Sequence, residues 1–501
     1  MKSTALAYLF IISFGLTNSL KAEPWVDTSN LYLKANIQLL ADTGHITTPV
    51  TTYPLMWHDI ARDLKDIDIR KLSKAEENAY LKVSHQLKLA TNNRTSTKVN
   101  TAIKDSRFTS FGDSYRAKNS IQIQSSIVTD NFALKISPSY TQSAVDGDEI
   151  RLDESYLMAS IGNWVVSFGK QDRWFGPTWD TSLSLTNNAR PMPALAISRK
   201  SAEPFTLPFT ELDIPWTITS FMGKMDDNRI IEDTLLWGFR FNFKPLKNLE
   251  IGITRLAQWG GKGHSQTLDT FWDILLGKTN CGVNGLICDE NSSNPANQQA
   301  GYDIRYSMII FDIPVSFYGQ NYAEDGDNNN TFSIGTKPEF QAGLDMHISL
   351  LDIPTTAYFE YSQSFGDCGV RDNIGDCFYE HGTYQTGMRY NGRTISHLYD
   401  NDTRTYVLGT ISQLDSDTNI SSKFRYLMLN RDNHDKAPGN PIIGNPLTSI
   451  AEDIVMLSTS VQHIYKNWRF IIDGEISHST FENDIDDETD INVSLMIEYN
   501  L

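Results

Sequence analysis

From about residue 105 to its end the chain alternates in polarity. In Leu235-Leu236-Trp237-Gly238-Phe239-Arg240-Phe241-Asn242-Phe243, one set of positions carries Trp237, Phe239 and Phe241 and the other carries Arg240 and Asn242. Tyr302, Ile304, Tyr306 and Met308 interleave with Asp303, Arg305 and Ser307. Trp468, Phe470 and Ile472 interleave with Arg469, Asp473 and Glu475, and Ile491, Val493, Leu495, Ile497 and Tyr499 with Asn492, Ser494 and Glu498. A period of two marks strands with one apolar and one polar face. The fold is therefore built of strands, and what remains is which kind of sheet they make.

A soluble sandwich also alternates, but three features point to a transmembrane barrel. The apolar faces are aromatic, as interface girdles require, and the polar faces repeat Arg, Lys, Asp and Glu, which suits a wet lumen. Short turns (YKN, DI, FD, KPLKN, GN) alternate with long connections. About 40 residues separate Trp259 from Tyr302, and the connection after Ser362 is similar. That asymmetry is characteristic of outer-membrane barrels, whose periplasmic turns are short and external loops long. The count is 16 to 18 antiparallel strands, with 18 fitting the turns best. Energetics assign the faces: Arg240 turned to mid-bilayer would cost roughly 2–4 kcal/mol, and Arg305, Arg425 and Arg469 as much again each. The aromatic faces meet lipid and the charged faces line the lumen.

The chain begins with Lys2, an apolar run over residues 5–16, and Leu20-Lys21-Ala22, the layout of a secretory signal peptide cut after Ala22. Residues 23–100 are expected as a small periplasmic helical module and residues 101–501 as the barrel. Residues 27–41 set Leu33, Ile37 and Leu40 on one side, with Gly44 as C-cap; residues 57–64 suit a second short helix. Ser73 and Glu76 form a capping box opening a third, striped by Tyr80, Val83 and Leu87.

Charge and cysteine usage agree with export. Lys+Arg 43 against Asp+Glu 61 gives −18, and loss of Lys2 and Lys21 lowers it further, which excludes nucleic acid as a partner. The four cysteines fall in two close pairs, Cys281 with Cys288 and Cys368 with Cys377, expected as loop disulfides in an oxidising compartment. Neither pair has tight CxxC spacing or an accompanying His cluster, which argues against zinc.

The segment FGKQDRWFGPTW (residues 168–179) is aromatic and charged together, and the topology puts residues 171–190 in a long external loop. A second such stretch is RLAQWGGKG (residues 255–263), followed by Phe271-Trp272-Asp273. Indole faces beside Arg, Gln and Asp suit a sugar surface, since ring CH groups stack while hydroxyls find donors and acceptors. One stacked face yields only ~1 kcal/mol, so a polymer would rely on avidity. The equal alternative is that these residues pack the loops into the lumen as a plug. The six candidates under either reading are Arg173, Trp174, Trp179, Arg190, Gln258 and Trp259. Trp174 and Trp259 would supply stacking faces, Arg173 and Arg190 would bind acidic groups or hydroxyls, and Gln258 would hydrogen-bond.

Several blocks together resemble the Wzi capsule-assembly family. They are Trp174-Phe175-Gly176-Pro177, the RPMP run from Arg190 to Pro193, Gln258-Trp259-Gly260-Gly261, GYDIRYSM with PVSFYGQNYAEDGD, and MRYNGRTISHLYDND. They span roughly residues 165–410. The resemblance implies an 18-stranded outer-membrane barrel above a periplasmic helical bundle, a lumen closed by loops, and a lectin-like role holding secreted capsular polysaccharide at the cell surface. It implies no catalytic residue and no cofactor. The partners that follow are an acidic capsular or extracellular polysaccharide, outer-membrane lipid with lipopolysaccharide, and polysaccharide export machinery, met by a monomer. The cysteine pairs and the insert 281–297 are not part of that pattern.

The rival readings are a porin or substrate channel and an outer-membrane hydrolase. Gly112-Asp113-Ser114-Tyr115 has the look of a GDS-type block, but strands follow it where a helix and a downstream Asp-x-x-His are needed. HExxH, GxSxG and a Gly-rich phosphate loop are absent from the sequence. His264, His381 and His397 have no partner at a defined spacing. The acidic runs 325–327 and 483–488 read as solvated charge, the alternative being divalent cations held between lipopolysaccharide phosphates; EF-hand spacing is absent. Neither catalysis nor a metal is expected.

Overall fold

The alternating stretches pair as antiparallel neighbours around one closed barrel. The computed structural model describes residues 23–208, 212–276, 296–324, 339–366, 378–482 and 485–501. The signal peptide, all four cysteines with their expected disulfides, the acidic run 325–327 and the start of 483–488 lie outside the described residues. The barrel holds 18 strands, because two of them are interrupted. Phe132–Ile136 continues as Ser139–Thr141 across Pro138, which has no N–H for the ladder, and Ile150–Arg151 continues as Tyr156–Ile161. Arg94–Ala102 closes the ring against the last strand, Glu488–Asn500. That closing strand begins ahead of residue 105, where alternation becomes legible: in RTSTKVNTA only Val99 is a large apolar residue.

The faces divide as the bilayer requires. Phe317, Phe359, Leu408, Phe424 and Leu457 are exposed on the outer wall, whereas Arg240, Asp303, Arg305, Asp345, Glu360 and Arg425 are buried within. The tight hairpins lie at one end. At Phe311-Asp312 and Leu351-Asp352 both central residues have positive φ, the type I′ geometry that matches strand twist. The long connections lie at the other end.

Three helices precede the barrel. Helix α1 (Leu31–Asp42) is capped by Asn30, whose side chain accepts from the Leu33 N–H. Helix α2 (Trp57–Asp66) and helix α3 (Lys74–Ala90) follow, the last opened by the Ser73/Glu76 capping box. These are the expected helices in the expected places. Yet α1 does not sit beneath the barrel: all twelve of its residues are buried, and it packs on the inner side of the strands Ile313–Glu324 and Arg404–Gln413. Helices α2 and α3 stay at the short-turn mouth. There Asp59 accepts from Ser201 Oγ (2.9 Å) and Ala202 N (2.5 Å), and Asn78 donates to Gln413 (3.2 Å). No described helix is long and apolar enough to cross a membrane.

Candidate functional site: the filled lumen and its loops

A barrel wall lined with buried charge is stable only if each charge meets a partner. Here the partners come from facing strands of the wall and from the plug. Arg240 pairs with Asp303 across the wall (2.6 Å) and donates to Thr51 Oγ1 and Thr52 Oγ1 (2.9 and 2.7 Å). Glu250 accepts the backbone N–H groups of Val50 and Thr51 at 2.9 Å each. Glu360 accepts those of Trp179 (2.6 Å) and Asp180 (3.0 Å). Arg425 and Lys423 hold Asp180 at 2.8 and 3.4 Å, and Tyr399 donates to its other oxygen. Residues 171–192 are thus threaded into the lumen, and Trp174–Phe175 pairs there with Thr52–Tyr53.

Trp174 and Trp179 meet around the ammonium of Lys34 on α1. It lies 4.8 and 5.0 Å from their rings and 4.2 and 5.9 Å from those of Phe111 and Tyr53, and it donates to the Thr178 carbonyl (2.6 Å). Ring faces attract a desolvated cation, so this cage locks helix to loop. Trp179 also donates from Nε1 to Asp345 (2.8 Å) and stacks on Tyr358. Gly176, at φ +138°, lies so close to Gln320 that a Cβ would fall 2.3 Å from Nε2. That is the physical reason for the Gly of the W-F-G-P block.

The other candidates are also occupied. Arg173 lies over the Phe221 ring (4.4 Å), and burial lowers its pKa to about 10. Arg190 is gripped by Asp146, Asp148 and Asp153 (2.7, 3.0 and 2.8 Å), carboxylates from the hairpin before it. Gln258 donates to the Gly387 carbonyl (2.7 Å) and accepts from Asn297 (3.0 Å), tying the wall to the loop 378–402. Trp259 parts from the rest. Gln258 and Trp259 end the strand Leu249–Trp259, so successive side chains point to opposite sides, and Trp259 lies on the outer wall against Trp237 and Phe271. It takes no part in closing the lumen.

Sequence reasoning missed Lys34, Asp180, Glu360 and the Arg389–Asp400 pair (2.8 Å) that braces the loop 378–402. A lysine among the apolar positions of α1 was the one available signal. Ser114, the would-be nucleophile, donates to Asp473 instead. Asp42, Asp345 and His347 converge, but Arg305 already sits between the two carboxylates. A polar cavity remains beside the plug, lined by Lys98, Asn100, Asp113, Tyr115, Arg116 and Arg469 among others.

Against known proteins, the family model described as "Capsule assembly protein Wzi" matches residues 89–493. The chain belongs to the Wzi capsule-assembly family. A Klebsiella pneumoniae relative, described as "Uncharacterized 55.8 kDa protein in cps region", is 27% identical over 322 residues, 63% of this chain and 62% of its own. The match thus spans less than two thirds of that relative. The Escherichia coli Wzi structure superposes with a TM-score of 0.77 at 21% identity, over 93% of this chain and 97% of that one. That protein is described as an outer membrane protein involved in group 1 capsule assembly and a carbohydrate-binding β-barrel. The chain is, like other Wzi-family barrels, an outer-membrane β-barrel.

Proposed function

We propose that this barrel binds secreted capsular or related extracellular polysaccharide and helps hold it at the cell surface, with its lumen closed. Its long loops face outward, and α2 and α3 lie in the periplasm. The observation that carries the reading is the filled lumen: α1, Thr51, Trp179 and Asp180 are each hydrogen-bonded or ion-paired to the inner wall, and Gln258 of the wall holds the loop 378–402 at Gly387. Membership of the capsule-assembly family and the carbohydrate binding described for the Escherichia coli protein support it. Arg173, Trp174, Trp179, Arg190 and Gln258 serve this function as the closure that supports the loops, and the polymer meets the loop surface above them. No catalytic step is assigned.

The test is single-channel conductance of the purified protein in a planar bilayer, with and without an acidic polysaccharide, beside polymer retention by cells lacking the protein. A silent bilayer together with lost retention is expected. Large stable currents would instead establish a channel.

A further inference from the structure

Helix α4 (Leu268–Leu275), in the connection after Trp259, lies outside the barrel. Its Phe271 and Ile274 pack on Trp237, Ala257 and Trp259, all outward-facing. Arg255, also on the outer face, donates to the carbonyls of Ile274 (2.5 Å) and Leu275 (2.8 Å), and to Gln298. A guanidinium at a helix C-terminus is favourable, because the last carbonyls lack intrahelical partners and carry the negative end of the dipole. The helix is therefore fastened to the wall by a wall residue, and it covers a charge that would otherwise face lipid.

The rest of the helix surface is divided. Leu268, Trp272 and Leu276 are 78%, 58% and 65% exposed and fall along one side, next to the buried face. Asp269 and Asp273 occupy the remaining arc. Apolar surface thus runs from the wall contact around the membrane side of the helix, and the acidic arc is opposite. Below it the same strands continue outward with exposed Ile253, Tyr302 and Ile304.

Height can be read along the strand Leu235–Leu246. Trp237 stands six residues from Phe243, near the short-turn end. At ~3.3 Å per residue and a tilt of about 40°, that is roughly 15 Å, inside the ~25 Å apolar band of such barrels.

We propose that α4 is a membrane-contact element: an amphipathic helix held against the outer wall that lays Leu268, Trp272 and Leu276 among the acyl chains of the outer leaflet. The occupant is lipid because the exposed side is continuous with the lipid-facing wall. The geometry, an apolar side and a polar side on a helix lying at the boundary, is that of interfacial helices. This inference rests on the barrel alone and not on the polysaccharide reading.

The test uses the full chain reconstituted in phosphatidylcholine vesicles, with acyl chains brominated near the headgroup end or left plain. The emission difference between the wild type and Trp272→Phe isolates Trp272 from the other tryptophans. Bromolipid is expected to quench that difference roughly two- to threefold, as for an indole at the acyl boundary, while aqueous iodide leaves it. Quenching by iodide and not by bromolipid would overturn the proposal. So would shielding from both that disappears on dilution in lipid, which would assign the face to a second copy. If Trp272→Phe does not fold, Trp272→Tyr supplies the same difference.

Discussion

Arg305 of the barrel wall and Asp42, the last residue of α1, form a bidentate ion pair, with Nη2–Oδ2 at 2.6 Å and Nε–Oδ1 at 3.0 Å. The same guanidinium holds Asp345 on another strand, so one side chain fixes the plug helix to the wall. Arg305→Ala would leave two buried carboxylates without their cation, at a cost of about 3–5 kcal/mol. A lowered melting temperature is expected, with protease cleavage within residues 23–45 that the wild type resists. Wild-type melting and cleavage in Arg305→Ala would show that the pair does not retain the helix.

Trp179 is the loop's equivalent anchor, bonded to Asp345 and stacked on Tyr358. Trp179→Ala removes a fully buried indole, at ~3–5 kcal/mol. Intermittent bilayer conductance is expected in place of silence. Trp179→Phe restores ring but not N–H and should conduct less often than Ala. Closure as tight in Trp179→Ala as in the wild type would mean that other loops carry it.

The wall was legible because its physics is local. Arg240, Arg305 and Arg425 alternate with apolar neighbours and can face only the lumen; Ser73 and Glu76 announce a helix start within four residues. The plug was not legible. Gln38 and Asp42 look like a solvated side of α1, yet both are buried, Gln38 donating to Asp42 and Asp42 meeting the wall's Arg305. Helical periodicity distinguishes apolar from polar positions but cannot distinguish water from a charged wall. Arg190 looked free to bind a ligand because its three aspartates lie 37 to 44 residues earlier. Trp259 was misplaced because its strand runs up to that residue, and one step along a strand changes the side.

Asp180 makes the loop sensitive to acid. Burial alone would raise its carboxyl, but the Arg425 and Lys423 charges, with hydrogen bonds from Arg425 and Tyr399, outweigh it and hold it well below the carboxylate range. A carboxylate depressed in the folded state stabilises fully above its unfolded value near ~4, and that contribution is lost as pH falls towards the folded value. Wild-type protein should therefore lose stability in acid below that point. Asp180→Asn should be weaker at neutral pH, with Arg425 and Lys423 left unpaired, and its acid limb should be shallower. Melting temperatures across the acid range test this; equal slopes in the two proteins would exclude Asp180 as the source.

Four inward rings lie over glycines directly across the ladder: Tyr358 over Gly409, Tyr318 over Gly343, Phe221 over Gly238 and Tyr322 over Gly301. At Gly409 an added Cβ would fall 2.1 Å from the Tyr358 ring, which is rigid and fully buried. The ring cannot stay, and its displacement removes the surface on which Trp179 stacks. Gly409→Ala should cost about 1–3 kcal/mol, as other overpacked sites do. The same change at Gly474, where nothing lies within 4 Å of the added atom, should be far milder. Paired melting curves of Gly409→Ala and Gly474→Ala decide the matter. If they shift equally, the loss is a property of glycine in strands and the ring-over-glycine contact contributes nothing of its own.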